Sequence, residues 1–295
     1  MNSQRYEIRH RTAYRYSQPV SISHHALRLI PRSCFHQQTH RHSISEMPAA
    51  AVRSEGMDFF GNPVTFMTIQ EQHEELIIDA ASCIDVAVPV RPDPGGTAPW
   101  DGIFDRLQTS LADDDLSALQ YAFDSPFTAA GPEVAAYARE SFTTGRPVLE
   151  AALDLTRRIH EDFQYDDSAT TVSTPVNEVM RIRRGVCQDF AHLQLACLRA
   201  LTVPARYVSG YLLTHPAPGK EKLIGSDASH AWLAVWCEQD GWIDLDPTNN
   251  SMPAGEHITL AWGRDYGDVS PINGVIFGGG EHIIDVGVDV TPVSD

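Results

Sequence analysis

The chain has 295 residues, 42% hydrophobic and 21% charged, with a formal net charge of −17. That composition is globular rather than disordered, and so negative a surface disfavours nucleic acid and anionic membranes as partners. No apolar run reaches the length of a membrane span and the opening MNSQRYEIRHRTAYRY has no apolar h-region, so a cytoplasmic location is expected.

The five cysteines, Cys34, Cys83, Cys187, Cys197 and Cys237, are scattered and never in Cys-x-x-Cys spacing. This argues against a disulfide framework or a structural zinc site.

Residues 1–92 read as a β-rich domain. Tyr6, Ile8 and His10 alternate with Glu7 and Arg9, and Thr12, Tyr14 and Tyr16 continue the period of two. Further strand runs cover 25–30, 63–69 and 76–90, separated by turn signals at Ser17-Gln18-Pro19 and Gly61-Asn62-Pro63. Short strands between turns predict a small antiparallel β-sandwich. His10, His24, His25, His36, His40 and His42 lack regular ligand spacing and read as surface or sheet residues. The Pro- and Gly-rich run RPDPGGTAP (91–99) predicts a linker over 93–99, with a second domain over 100–295.

From residue 100 the pattern becomes helical, notably over 134–142 and 148–163, punctuated by Gly131-Pro132 and Gly145-Arg146-Pro147. Ser173-Thr174-Pro175 predicts a short helix through Met180, with Thr174 as N-cap, Pro175 at the first helical position and Glu178 facing the capping amides. Arg183, Arg184 and Gly185 form a loop. Val186, Phe190, Leu193, Cys197, Ala200 and Leu201 then recur at helical spacing, so a helix starts at or just before Cys187. Strands follow at 205–213, 229–237, 242–246, 257–262 and 282–290. In the second of these His230, Trp232, Ala234 and Trp236 share one face, and Ala231, Leu233, Val235 and Cys237 the other, which predicts a central strand covered on both sides. Helices followed by an antiparallel sheet make an α+β arrangement.

A thiol at a helix start lies at the positive end of the macrodipole, beside amides that lack a helical partner. Both features favour thiolate, and such positions bring a Cys pKa to about 3.5–7.5. The same amides can receive an oxyanion. A Cys in an apolar helix is otherwise a small buried hydrophobe, so partners decide the matter. His230 is the best base, and Asp246, in DLDPTNN, is the best group to orient it. Asp246 follows His230 by sixteen residues. Opposing the two folds a hairpin about Glu238 and requires an odd loop or a β-bulge between Val235 and Trp242. A two-residue Asp240-Gly241 turn would put Asp246 on the wrong face.

Other residues have two readings each. Gln188 offers a side-chain amide to an oxyanion hole or to solvent. Asp227 and Ser229 position the strand or touch substrate. His192, about 140° round the helix from Cys187, is a packing residue rather than the base. Trp232, Trp236 and Trp242 read as core, Cys197 and Cys237 as buried thiols, and Tyr165, Asp166 and Asp167 as a solvated turn.

GVCQDFAHL, then SHAW, then GWIDLDPTN, in the order Cys, His, Asp, resembles the transglutaminase-like superfamily. YEIRHRTAYRYSQPV near the start and HITLAWGRDYGDVSPINGVIFGGG near the end resemble its bacterial branch, in which a β-rich N-terminal domain precedes the core. The resemblance implies a papain-like α+β core that needs neither cofactor nor metal for catalysis. It implies Cys187 as nucleophile, His230 as general base and acid, and Asp246 as orienter, acting through a thioester acyl-enzyme. It also places Arg264 and Asp265, in GRDYGDV, at the cleft; the other reading is an ion pair tying a loop to the core. No EF-hand-type loop is visible, so calcium is not expected. Acyl-enzyme chemistry in this superfamily ends in transamidation, in peptide or amide hydrolysis, or in removal of glycans from Asn. The expectation is a cysteine peptidase or amidase with a peptide or amide substrate. Its alternatives are a transamidase with an amine acceptor and a binding scaffold that has lost catalysis; the presence of all three catalytic residue types disfavours the last.

Overall fold

The computed structural model describes residues 3–214 and 228–293. Five strands come first: β1 (Ser3–Leu27), β2 (Gln37–Met47), β3 (Val52–Met57), β4 (Pro63–Ile69) and β5 (His73–Ala87). Helices α1 (Ile103–Thr109), α2 (Asp113–Leu119), α3 (Pro132–Ser141) and α4 (Val148–Asp162) follow. Two-residue strands β6 (Gln164–Tyr165) and β7 (Arg184–Gly185) bracket α5 (Val176–Ile182). Helix α6 (Cys187–Arg199) then leads into β8 (Ala205–Leu212), β9 (Ala228–Trp236), β10 (Trp242–Leu245) and β11 (His257–Gly263). A one-turn helix α7 (Tyr266–Val269) and strands β12 (Ile272–Gly278) and β13 (His282–Val293) close the chain. The expected α+β order holds, an antiparallel β unit and then helices packed on an antiparallel sheet, but the β unit is one sheet rather than the expected sandwich.

Strand β1 is the axis of a seven-stranded sheet ordered β2-β5-β1-β4-β3, with β12 and β13 also paired to β1. One edge of β1 is lined in turn by β5 and β4, the other by β13 and β12. Ser17-Gln18-Pro19 is therefore not a turn. The strand runs through it, and the register slips beside it on both edges. Across from it the neighbour is broken by glycines: Gly278, Gly279 and Gly280 all have positive φ, and a Cβ at Gly278 would lie 2.5 Å from the Pro19 carbonyl oxygen.

The run at 282–290, expected within the second domain, instead pairs with β1 from Tyr16 back to Arg5. Alternation marks a segment as a strand but does not say which of two open edges receives it. Strands β2 and β3 leave no alternating signal in the sequence because they are largely solvated; every residue of β3 is exposed, so no buried face imposes a period of two.

The second sheet is ordered β10-β9-β8-β11. Ala231, Leu233 and Val235 join the main core with α6, which is buried from Asp189 to Arg199, and with Tyr6, Ile8, Val288 and Val290 of the first sheet. On the other face Trp232, Val208 and Ala234 form a smaller cluster with Trp242 and Trp262. No helix among the described residues is long and apolar enough to cross a membrane.

Two side-chain amides from loops and ends of the first sheet pair with the free edge of β11. Gln37 exchanges hydrogen bonds with Thr259, its Nε2 donating to the carbonyl (2.8 Å) and its Oε1 accepting from the N–H (2.9 Å). Asn62 does the same with Trp262, at 2.8 and 2.9 Å. Edge groups that would otherwise invite another strand are thus satisfied. A third link joins His10 Nδ1 to the Tyr211 hydroxyl at 2.7 Å.

Helix α5 starts one residue later than expected. Pro175 is its N-cap, and Thr174 Oγ1 instead accepts from the Thr171 N–H at 2.9 Å. Glu178 turns away from the capping amides to Arg181.

Gly210 stands directly opposite His230 in the β8–β9 ladder. A Cβ there would lie 2.1 Å from the Ile258 carbonyl oxygen and 2.5 Å from a ring carbon of Trp232. Gly210→Ala should cost about 1–3 kcal/mol of stability, as overpacked interiors do. A urea midpoint equal to that of the unaltered protein would contradict this contact.

Candidate active site

Cys187 is the first residue of α6 and is partly exposed. The chain reaches it through a sharp reversal. Arg183 ends α5 in the left-handed region (φ 57°), and β7 pairs with β6 for two residues. Asp189 then closes the helix start: its Oδ2 accepts from the Val186 N–H at 2.8 Å and from Thr170 Oγ1 at 2.6 Å. Gly185 makes room, since a Cβ there would lie 2.5 Å from that oxygen. Burial raises the Asp189 pKa, and the two hydrogen bonds work against the rise.

His230 lies near the start of β9, and Asp246 follows β10. The strands pair Trp236 with Trp242 through the five-residue loop 237–241, an odd length as parity requires. Positive φ at Glu238 (54°) and Gly241 (71°) lets the loop close. The pairing is centred on residue 239 rather than 238, so Asp246 is a diagonal neighbour of His230 on the same face instead of its direct opposite.

His230 Nε2 lies 2.8 Å from Asp246 Oδ2, which leaves the other ring nitrogen for the hydrogen bond to Cys187. Burial works against charge on this imidazole. The hydrogen bonds to Asp246 and Cys187, and the negative charge of both, overcome burial and push its pKa up to about 10. The ring is therefore an imidazolium beside the sulfur at neutral pH.

Asp246 is completely buried, and burial alone would neutralise it. It is met by five donors instead. Oδ2 accepts from His230, from His257 Nε2 at 3.0 Å and from Asn249 Nδ2 at 2.7 Å. Oδ1 accepts from the N–H groups of Thr248 (2.9 Å) and Asn249 (3.2 Å). The carboxyl is held well below the usual carboxylate range against its own burial, first by the hydrogen bonds from His230 and His257. His230, Asp246 and His257 bring their ligand atoms within 4.8 Å of one another, a grouping with the residue types of a metal site. Here, however, an ionised carboxylate can only accept, so both Nε2 atoms carry protons and the cluster is closed by its own hydrogen bonds.

The remaining candidates are placed as follows. Gln188 Nε2 donates to the Val172 carbonyl at 3.0 Å, which ties α6 to the preceding loop. Ser229 is exposed and pairs with Tyr211. Asp227 lies outside the described residues. Arg264 forms a two-pronged ion pair with Asp268 (2.9 and 3.0 Å). Asp265 is buried and caps α7, accepting from the N–H groups of Gly267 and Phe127. Arg264 is thus bonded within its own loop, and Asp265 ties that loop to the segment before α3. His192 packs between Phe127 and Tyr207, accepts from the Tyr266 N–H, and is held neutral by burial, with a pKa lowered to about 3. Burial likewise pushes the Cys197 thiol up to about 12 and that of Cys237 higher.

Asn249, His257 and Asp189 were not singled out from sequence. Asn249 was visible as part of DPTNN but carried no role. Asp189 stands at the third helical position, where a capping-box acid belongs, but Val186 in place of Ser or Thr conceals the pattern. His257 has no local signal, because pairing of β11 with β8 alone brings it to Asp246.

Comparison with known proteins follows the same division of the chain. Residues 6–85 match the bacterial transglutaminase-like N-terminal region, and residues 135–247 match the transglutaminase-like superfamily. An uncharacterized protein of Mycobacterium bovis is 42% identical over 300 residues, covering 98% of this chain and 93% of its own. A protein-glutamine gamma-glutamyltransferase of Pseudomonas aeruginosa is 35% identical over 108 residues, which is 36% of this chain and 16% of that protein. The crystal structure of a candidate cysteine protease from Cytophaga hutchinsonii shares the fold, with a TM-score of 0.78 at 20% identity over 100% of this chain and 92% of that one.

The raised pKa of His230 has a consequence for stability. The native state holds a proton that the unfolded chain, with an ordinary value of 6.5, releases first. This stabilisation is complete below about pH 6.5 and is lost as pH rises towards about 10. Across that window the unaltered protein should lose more unfolding free energy than His230→Gln. Parallel curves would mean that Asp246 and Cys187 do not hold the charged ring.

Proposed function

The chain belongs to the transglutaminase-like superfamily with a bacterial transglutaminase-like N-terminal region, and on that premise we propose that it is a thiol hydrolase of peptide or amide bonds. The observation that carries this reading is the line from Cys187 through His230 to Asp246.

In the first step the Cys187 sulfur attacks the carboxamide carbon, and the carbonyl oxygen becomes an oxyanion. The N–H groups in the first turn of α6 have no helical partner and can receive it. The His230 imidazolium gives its proton to the leaving nitrogen, the C–N bond breaks, and a thioester remains. His230, now neutral, takes a proton from water as the water attacks the thioester. The tetrahedral intermediate collapses, the C–S bond breaks with its electron pair returning to sulfur, the acid departs, and the proton taken from water leaves His230 an imidazolium again. Asp246 fixes the tautomer and orientation of the ring throughout. His257, Asn249 and the turn amides fix Asp246.

Hydrolysis is favoured by the openness of the site: Cys187 is partly exposed, Tyr165 near it is exposed, and so is Asn249 beside Asp246, so water has access to the thioester. Transfer to an amine is the second reading. The gamma-glutamyltransferase relative favours it, although that match spans about a third of this chain.

Cys187→Ala should lower turnover of a peptide-library substrate by several orders of magnitude; removing the nucleophile of a comparable triad costs about 10⁶. Full activity in that variant would remove the assignment. Adding a labelled primary amine to the same assay separates the two outcomes, because incorporation of label at the expense of free acid would favour transfer.

A further inference from the structure

A cavity of about 760 Å³ lies between the four-stranded sheet and loops of the first sheet, and neither Cys187, His230 nor Asp246 lines it. The volume falls in the range of small-molecule sites. Its walls are aromatic: Phe35, Phe59, Phe60, Trp236, Trp242 and Trp262. Phe35 and Phe59 are 87% and 83% exposed, unusual for such side chains unless something covers them.

Arg206 is part of the same lining. Its guanidinium sits 3.7 Å from the Trp262 ring centroid and 4.5 Å from that of Trp242. Arg32 stacks on the same Trp262 at 3.2 Å. Among the described residues the Arg206 guanidinium, half-buried in this wall, makes no hydrogen bond or ion pair. A half-buried guanidinium stacked on indole rings with no hydrogen-bond partner is costly, so the site calls for a ligand that brings acceptors.

The carboxylates around the cavity limit what that ligand can be. Glu238 is paired with Arg106, Asp114 and Asp240 are exposed at the mouth, and Asp244 faces Arg206 from beyond ion-pair distance. Such a mouth repels multiply charged anions, while the aromatic walls favour a flat apolar body.

We propose that this cavity binds a small organic monocarboxylate with a flat apolar body, whose carboxylate meets the Arg206 guanidinium. The proposal is independent of the chemistry at Cys187.

Calorimetric titration with phenylacetate, phenylacetamide and inorganic phosphate tests it. Phenylacetate should bind more tightly than its neutral amide by about tenfold or more, as a charge-assisted hydrogen bond provides. Phosphate should not bind. Arg206→Gln should abolish the preference for the acid. Cys34, which lines the cavity and is partly exposed, supplies a readout in the unaltered protein that does not depend on that variant folding. Phenylacetate should slow iodoacetamide alkylation of Cys34 and leave that of Cys187 unchanged. Equal binding of acid and amide, preferential binding of phosphate, absence of binding, or an unprotected Cys34 would each overturn the proposal.

Discussion

A single buried carboxylate organises the site. Asp246 has no solvent contact, and an ionised group in that position survives only where donors replace the water it has lost. Its five donors come from separate parts of the chain: β9 supplies His230, β11 supplies His257, and the turn after β10 supplies Asn249 and two backbone amides. Pro247, with its fixed φ, starts that turn. His160, at the end of α4, holds the turn from outside through the Thr248 carbonyl at 2.9 Å. A carboxylate satisfied in this way keeps its charge, and that charge keeps His230 protonated next to the sulfur.

The β unit reaches this cluster through β11. That strand carries His257 on the edge of the catalytic sheet, between β8 on one side and the amides of Gln37 and Asn62 on the other. The register of β11 against β8 slips between Thr259 and Ala261, where Gln37 meets it. The first sheet thereby fixes the strand that delivers a donor to Asp246. Return of β12 and β13 to β1 serves the same end, because it closes the chain onto the first sheet and buries Val288 and Val290 in the shared core.

What could be read from the sequence was what short-range chemistry determines. A thiol at the start of an apolar helix, a histidine in a two-faced strand and an aspartate before a proline turn each carry local signals. Parity along a hairpin was enough to require an odd loop, though not to distinguish a centre at 238 from one at 239. The unread parts depend on long-range pairing. Nothing near His257 points to Asp246, and nothing within 282–290 says that its partner is Tyr16 back to Arg5 rather than the adjacent sheet. Thr174 followed the rule for a cap, but its hydroxyl was taken by the turn at Thr171, a competition that a helix-start pattern does not weigh.

The account stands on the charge of one ring. Nitrogen-15 NMR of histidine-labelled protein reads that charge directly. It should show the His230 imidazole doubly protonated at pH 7.5 and losing its proton near pH 10, far above the ordinary value of 6.5. A neutral His230 at pH 7.5, titrating near 6.5 like a solvated histidine, would contradict it.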